Sequence, residues 1–488
     1  MSFWSATKDM FAGRRPVGDV VGSAMHGYRT IRVAVMGSKS SGKTVFITAL
    51  ANHLRDHRPA EFPLGGRVVT WDKDAISGDM LHDLPLFDYE ESRGLLSKGE
   101  WPSKTTASSI LALRLLVEDK NGKQENVQLE IVDVPGERIA DFAMKGRSYR
   151  EWCRWMQKDS ATLTFGAYLE AVKKMGPGNE AALLDAYRDY IAAEYANCAP
   201  CITPSTVKLG IDVGSKPIGG RPEAFRAAIS SVPIGFVDEK GEVCQFIPLP
   251  VECFAKDSPW HDLAKKYERA YDRYVRKIVR PVVKWMAGAE KMFYLVDMLS
   301  LLQLGPKSCE SERQYGEAAI SALCPRRGNV FERIGKWASG FLWKTRVNTM
   351  YVVATKADCV WSQANRDNLV VLVDSLLGRS LKFIDKRQVK TDIISCAAVC
   401  STKERTDGIS GLQGKIPPPD NPGGPVQILK WKPSDVPSVL PSTSEEWKAK
   451  IDGGEFNYPF AFPWFDEARI CPPKQLNLDV LAEAMLSK

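Results

Sequence analysis

Apolar positions along this chain keep two rhythms, and their alternation outlines the architecture. Ile31 to Met36 (Ile-Arg-Val-Ala-Val-Met) reads as a short buried strand. From Lys43 to Leu54 the apolar side chains of Val45, Phe46, Ala49, Leu50 and Leu54 recur at helical spacing. Ile110–Val117 and Val127–Asp133 read as two strands joined by a turn at Asp119-Lys-Asn-Gly122. Lys291–Met298 reads as a core strand, Asn348–Ala354 as a buried strand, and Thr391–Ala397 as a strand leading to a small-residue loop. Strands interleaved with helices predict an α/β fold.

Between the strands ending near 133 and beginning near 291, the pattern turns helical. Helix-like runs fall near 151–173, 178–197 and 259–287, with a Gly/Pro-rich stretch around 202–220. This predicts a large, mostly helical insertion over 140–285. A further helix is expected from Phe331 to Lys344. After Ala397 about sixty residues read as loop-rich, with Ile416–Pro425 their most irregular part. The aromatic run Asn457-Tyr-Pro-Phe-Ala-Phe-Pro-Trp-Phe465 is expected to pack back onto the strand-bearing domain. The expected division is therefore 1–30 as an N-terminal extension, 31–139 and 286–400 as two parts of one α/β domain, 140–285 as the insertion, and 401–488 as the C-terminal region.

Composition narrows the class without naming a function. The 488 residues, 44% hydrophobic and 26% charged, are enough for two or three domains with real cores. A formal charge of +7 is modest, and no basic tail calls for nucleic acid. No uninterrupted apolar run reaches the roughly 18 residues of a spanning helix. Phe3, Trp4, Met10 and Phe11 among basic residues fit a segment packed on its own domain better than an interfacial helix. Eleven cysteines, an odd number, point to reduced thiols and a cytoplasmic setting, with peripheral contact at the inner membrane as the other expectation. Cys198-Ala-Pro-Cys201 lacks a second pair at zinc spacing and reads as a turn, while His53 and His57 read as a polar helix face.

The chemistry starts at Gly37-Ser38-Lys39-Ser40-Ser41-Gly42-Lys43-Thr44, which fits Gly-x-x-x-x-Gly-Lys-Ser/Thr between a strand and a helix. Glycines let backbone N–H groups close on phosphates, and the helix N-terminus adds its positive dipole end. Lys43 is expected to reach the β- and γ-phosphates and Thr44 to ligate Mg²⁺. The strand ending in Asp133-Val-Pro-Gly136-Glu137 brings an acid for the Mg²⁺ shell and a Gly N–H for the γ-phosphate. In Trp101-Pro-Ser-Lys-Thr105-Thr106, one threonine, with Thr105 preferred, is the candidate to close its hydroxyl onto Mg²⁺. The segment from Gly94 to Thr106 is the expected switch.

Thr355-Lys356-Ala357-Asp358 follows a buried strand and fits Thr/Asn-Lys-x-Asp. A carboxylate there accepts hydrogen bonds from guanine N1–H and the N2 amine, which adenine does not offer in that arrangement. Ser395-Cys396-Ala397 ends the next strand, where a backbone N–H can meet guanine O6. Four motifs in order, each at a strand end, predict binding of GTP and GDP.

With these motifs, Gly37–Thr44, Trp101-Pro-x-x-Thr105, Asp133-x-Pro-Gly-Glu137 and Thr355-Lys-Ala-Asp358, the chain resembles the YcjX-like P-loop GTPases of bacteria over nearly its full length. The resemblance implies a Ras-type G domain with a large insertion and a link to envelope or heat stress. The same motifs also look like the dynamin-type set. That likeness implies the alternative of a mechanochemical GTPase whose G domains dimerise and whose helical insertion acts at a membrane. Ras-type enzymes carry Gln where Glu137 stands. A carboxylate beside the γ-phosphate is repelled unless a cation intervenes or the side chain turns away, so slow intrinsic turnover is expected. Ser40 is the candidate ligand for K⁺ or Na⁺ supplying the missing charge. Arg138 and Arg93 read as ordinary surface residues. A protein effector of unknown identity or a second G domain are the expected partners.

Overall fold

The computed structural model describes residues 27–38, 40–71, 85–103, 108–159, 163–196, 204–209, 222–238, 240–323, 347–385, 389–405, 407–416, 427–463 and 472–487. Its strands are β1 (Arg29–Gly37), β2 (Val68–Trp71), β3 (Ser109–Glu118), β4 (Gln124–Asp133), β5 (Gly235–Val237), β6 (Val243–Gln245), β7 (Lys291–Val296), β8 (Thr349–Ala354), β9 (Lys390–Ser395), β10 (Thr402–Glu404), β11 (Leu412–Ile416) and β12 (Gln427–Trp431). The chain divides into two compact units. One holds the described residues of Arg15–Gly136, Gly288–Cys309 and Thr345–Lys488; the other holds those of Glu137–Ala287 and Glu310–Lys344.

The first unit is built on a seven-stranded sheet in the order β2-β3-β4-β1-β7-β8-β9. β4, β1, β7, β8 and β9 are parallel, and β3 runs antiparallel to both β4 and β2. All six residues of β7 are buried, as a central strand covered on both faces requires. β2 alternates exposed Val68 and Thr70 with buried Val69 and Trp71, the pattern of a half-solvated edge.

The helix Lys43–Arg55 buries Phe46, Ile47, Leu50 and Leu54 in one cluster with Ile31, Val33 and Val35 of β1. Each such side chain contributes about 1.5–3 kcal/mol of transfer free energy. Leu478, Leu481, Met485 and Leu486 of a terminal helix, Leu478–Leu486, join the same cluster. Its C-terminal carbonyls are capped from the sheet. Lys291 Nζ on β7 donates to Ala484 O, to Met485 O at 3.2 Å and to Ser487 O at 2.7 Å, and Arg29 donates to Leu486 O at 2.9 Å. Cations at a helix C-terminus also meet the negative end of its dipole.

In the second unit helices dominate: Tyr149–Asp159, Leu163–Met175, Glu180–Ala196 and His261–Tyr274, the last continuing through a π-helical turn, Val275–Val279, into Arg280–Ala287. Buried rings of Tyr149, Trp152, Phe246 and Tyr271 pack edge-on and tilted around its core. A polar knot lies inside. Asp141 Oδ2 accepts from Ser205 Oγ at 2.5 Å and Tyr274 OH at 2.6 Å, while Arg138 Nη1 lies 3.7 Å from that carboxylate and donates to Ser205 Oγ at 3.1 Å.

Several expectations are corrected here. The stretch after Ala397 is not merely loop: β10, β11 and β12 form an antiparallel sheet, and the helix Ser444–Asp452 follows. β11 alternates apolar and polar residues but contains Gly414, where a Cβ would come within 2.8 Å of Ala461 Cβ, so its strand signal is weak. β2 and the β5–β6 hairpin were too short to stand out from their surroundings. Arg138 is buried in its knot rather than on the surface. His53 and His57 are not a polar face either. His53 is buried, stacks on Phe62 with ring centroids 4.3 Å apart, and donates through Nε2 to Pro473 O at 3.1 Å. His57 accepts through Nδ1 from Val69 N at 3.0 Å, pinning β2 to the helix end. The expected helix Phe331–Lys344, the pair Cys198 and Cys201, most of 202–220 and the apolar N-terminal residues lie outside the described residues. Among the described residues no helix is long and apolar enough to cross a membrane, and seven cysteines are free thiols.

Candidate nucleotide site

Parallel pairing brings the C-terminal ends of five strands to one edge of the sheet. Val35 of β1 stands opposite Asp133 of β4, Gly37 opposite Leu295 of β7, Val296 opposite Ala354 of β8, and Ala354 opposite Ser395 of β9. The loop after β1, the acid ending β4, the Thr355–Asp358 segment and the Ser395–Ala397 segment therefore share one edge. In open parallel sheets this is where ligands bind.

The loop after β1 is shaped by backbone constraints. Gly37 has φ +144°, and a Cβ there would fall 2.3 Å from Leu295 O and 2.6 Å from Ser41 Oγ. Gly42, also left-handed at φ +89°, sits at the N-cap of the helix Lys43–Arg55. Ser40 adopts φ +65° and is exposed. Lys43 Nζ folds back over the loop, donating to Ser38 O at 2.8 Å and Gly37 O at 3.0 Å, with Ser41 Oγ at 3.5 Å. The ammonium thus spans the concavity of the loop. Lys39 lies outside the described residues.

Thr44 opens the helix half-buried, and Asp133 ends β4 with no exposure. A hydroxyl in the first turn of the helix and a carboxylate at the end of β4 are hard-oxygen donors of the kind Mg²⁺ prefers, so these residues fit the ion. Bound there, Mg²⁺ would offset charge on phosphate oxygens. Thr105 and Thr106, the other expected contributors, lie outside the described residues. Upstream, Gly94 is taken into the helix Tyr89–Ser97, whose N-cap Asp88 accepts from Glu91 N. Gly136 is buried and closes the first unit's segment; Glu137, also buried, begins the second unit's.

The base-reading candidates lie at the other end of the edge. Thr355 N and Oγ1 both donate to Val296 O, at 2.9 and 3.2 Å. Lys356 takes a left-handed backbone, φ +61°, and its Nζ pairs with Asp297 Oδ2 at 2.5 Å. Asp297 also N-caps the helix Met298–Leu304, accepting from Ser300 N at 3.1 Å. Asp358 is buried, and its Oδ2 accepts from Ser401 N at 2.7 Å, Ser401 Oγ at 2.9 Å and Thr402 N at 3.1 Å. Its Oδ1 carries one long contact, Cys359 Sγ at 4.0 Å. Burial pushes the Asp358 carboxyl above its ordinary pKa, and the Ser401 and Thr402 donors pull against that shift.

The Ser395–Ala397 segment meets its neighbours through backbone. Cys396 N donates to Ala354 O at 2.8 Å and Ala397 N to Leu476 O at 3.0 Å, so these two amides already have partners. Asn477 Nδ2 donates to Ser395 O at 2.8 Å. Ser401, Thr402 and Asp297 were missed in the sequence. They stand 43, 44 and 59 residues from the side chains they hold, and no local spelling marks them.

Comparison with known proteins gives the family of the chain. The chain is 25% identical over 439 residues to the Ras-like GTPase YcjX of Escherichia coli (strain K12), spanning 85% of this chain and 87% of that protein. It is 24% identical over 442 residues to the Ras-like GTPase YcjX of Shewanella oneidensis, spanning 85% of each. The profile of the YcjX-like family, DUF463, matches residues 31–217 and 238–488. With most of its length matched, the chain belongs to the YcjX-like family.

Proposed function

We propose that this protein binds GTP and GDP at the sheet edge and slowly hydrolyses GTP, acting as a nucleotide-dependent switch. The observation that carries the reading is the register of the parallel strands. It aligns Gly37–Thr44, Asp133 and Thr355–Asp358, three chemically distinct requirements of guanine-nucleotide binding, along one edge. The relatives' name, Ras-like GTPase, supports the same reading.

In this reading Lys43 exchanges its contacts with Gly37 O and Ser38 O for β- and γ-phosphate oxygens. Thr44 and Asp133 would hold Mg²⁺, and Thr105 is the residue that would join them. Asp358 Oδ1 reads guanine while Oδ2 stays with Ser401 and Thr402. Gly136, the last residue of its unit's segment, is the hinge at which the γ-phosphate is sensed. We read 140–285 as a mostly helical domain inserted into the G domain.

The test is phosphate release by the full chain with Mg²⁺ and either GTP or ATP. Slow release from GTP, abolished in Lys43→Ala and absent with ATP, is expected. Equal release from both nucleotides would remove the guanine assignment.

A further inference from the structure

The aromatic segment near the C-terminus holds a phenylalanine whose position hydrophobic burial does not explain. Phe460 is 49% exposed, yet the chain around it is tied down on both sides. Tyr458 OH donates to Asp435 O at 3.0 Å, Gln303 Nε2 reaches Tyr458 O at 3.5 Å, and Phe462 N donates to Lys415 O at 2.8 Å. The ring itself has two partners. On one, the indole of Trp101 stacks with centroids 5.2 Å apart and planes 26° apart, while Trp101 Nε1 donates to the neighbouring Ala461 O at 3.2 Å. The other is charged: Lys356 Nζ stands 4.4 Å from the centroid of the ring.

Lys356 is thus bracketed. Its ammonium meets the Asp297 carboxylate and the π-face of Phe460, two partners brought from chain positions on opposite sides of it in sequence. A cation held at its tip leaves its four-carbon stem fewer rotamers to sample, and that stem is an apolar strip. That strip begins at the residue two before Asp358.

We propose that Phe460 is a positioning residue for base recognition: with Asp297 it fixes the Lys356 side chain as one wall of the guanine site. The inference rests on the guanine-nucleotide reading above and extends it to the C-terminal region. Because Phe460 also stacks on Trp101, that wall is backed by the indole. A Lys356 held in advance loses less entropy when the base arrives, which tightens GDP and GTP alike.

The experiment is calorimetric titration of GDP into the full chain and a small set of variants. Phe460→Leu keeps apolar bulk and removes the π-face; it should weaken GDP binding about threefold to tenfold, the range expected of a cation–π contact. Phe460→Tyr should restore it. Asp297→Asn, which keeps the helix cap, should weaken binding as well, and its effect should not add to that of Phe460→Leu. In a Lys356→Met background, Phe460→Leu should make no further difference. In turnover, the loss belongs to KM more than to kcat. Unchanged affinity in Phe460→Leu would overturn the proposal. So would an equal loss with and without the Lys356 ammonium, which would make Phe460 merely structural. If wild type fails to discriminate GDP from ADP, the guanine reading itself falls and takes this proposal with it.

Discussion

The two ends of the nucleotide edge are built on different principles. The phosphate end is mostly one short stretch of chain: the side-chain hydrogen bonds of Lys43 span no more than six residues, and the long-range constraint is the close approach of Gly37 to Leu295 O of β7. The base end is an assembly of distant parts. Asp297 follows β7, Lys356 and Asp358 follow β8, Ser401 follows β9, and Phe460 lies in the C-terminal region; an ion pair, a cation–π contact and hydrogen bonds hold them. Phosphate binding can therefore survive changes far away in sequence.

This contrast can be broken at its strongest point first. Lys43→Ala removes the side-chain cation that the motif aims at phosphate, and should weaken GDP and GTP by about a hundredfold or more by calorimetry. A change of less than threefold would separate the loop from nucleotide binding. Asp358→Asn should act on base choice instead. It should cost GDP about 2–3 kcal/mol and raise affinity for xanthosine diphosphate, whose ring accepts where guanine donates. Equal losses for both diphosphates would point to a folding defect at the base end.

The scaffold behind the phosphate loop carries a pH signature. Burial holds His53 near a pKa of about 4, below its ordinary 6.5, on the same helix that Lys43 begins. Between pH 6.5 and 4 the unfolded chain takes up a proton that the folded chain refuses, so this contribution is complete above pH 6.5 and is lost as pH falls toward 4. From pH 7 to 5 it should remove about 2 kcal/mol of stability. Denaturant titrations of wild type and His53→Gln at the two pH values check this, and identical pH slopes would contradict it. The smallest effect belongs to Ser401→Ala. It removes one of the donors to Asp358 Oδ2 and leaves the two backbone donors in place, so GDP should weaken about threefold to tenfold with ADP unaffected. A change shared by both nucleotides would place Ser401 outside base recognition.

The same contrast explains what the sequence made legible. The phosphate loop could be read because a strand, a Gly-bearing loop and an amphipathic helix are contiguous, and each leaves a local pattern. β1, β3, β7 and β8 were visible for a similar reason, since apolar runs mark strands largely covered on both faces, whereas β9 is a half-exposed edge whose signal is only Ile393 and Ile394 before Ser395. Short elements were not. β2 has four residues and β5 and β6 three each, too few for a period to declare itself. The terminal helix Leu478–Leu486 packs with the core of β1 although hundreds of residues separate them. Partners of Lys356 and Asp358 escaped because a serine, an aspartate and a phenylalanine in isolation spell nothing. His53 misled for the opposite reason: four-residue spacing with His57 suggested a face, but stacking on Phe62 buries it.

The central claim is that one sheet edge joins a phosphate site to a guanine site. Parallel titrations of GDP and ADP into the wild-type protein with Mg²⁺ test it most directly, because the two ligands share their phosphates and differ only at the base. GDP binding at least about a hundredfold tighter than ADP is the predicted result. Equal affinities would leave a phosphate site with no base reader and contradict the account.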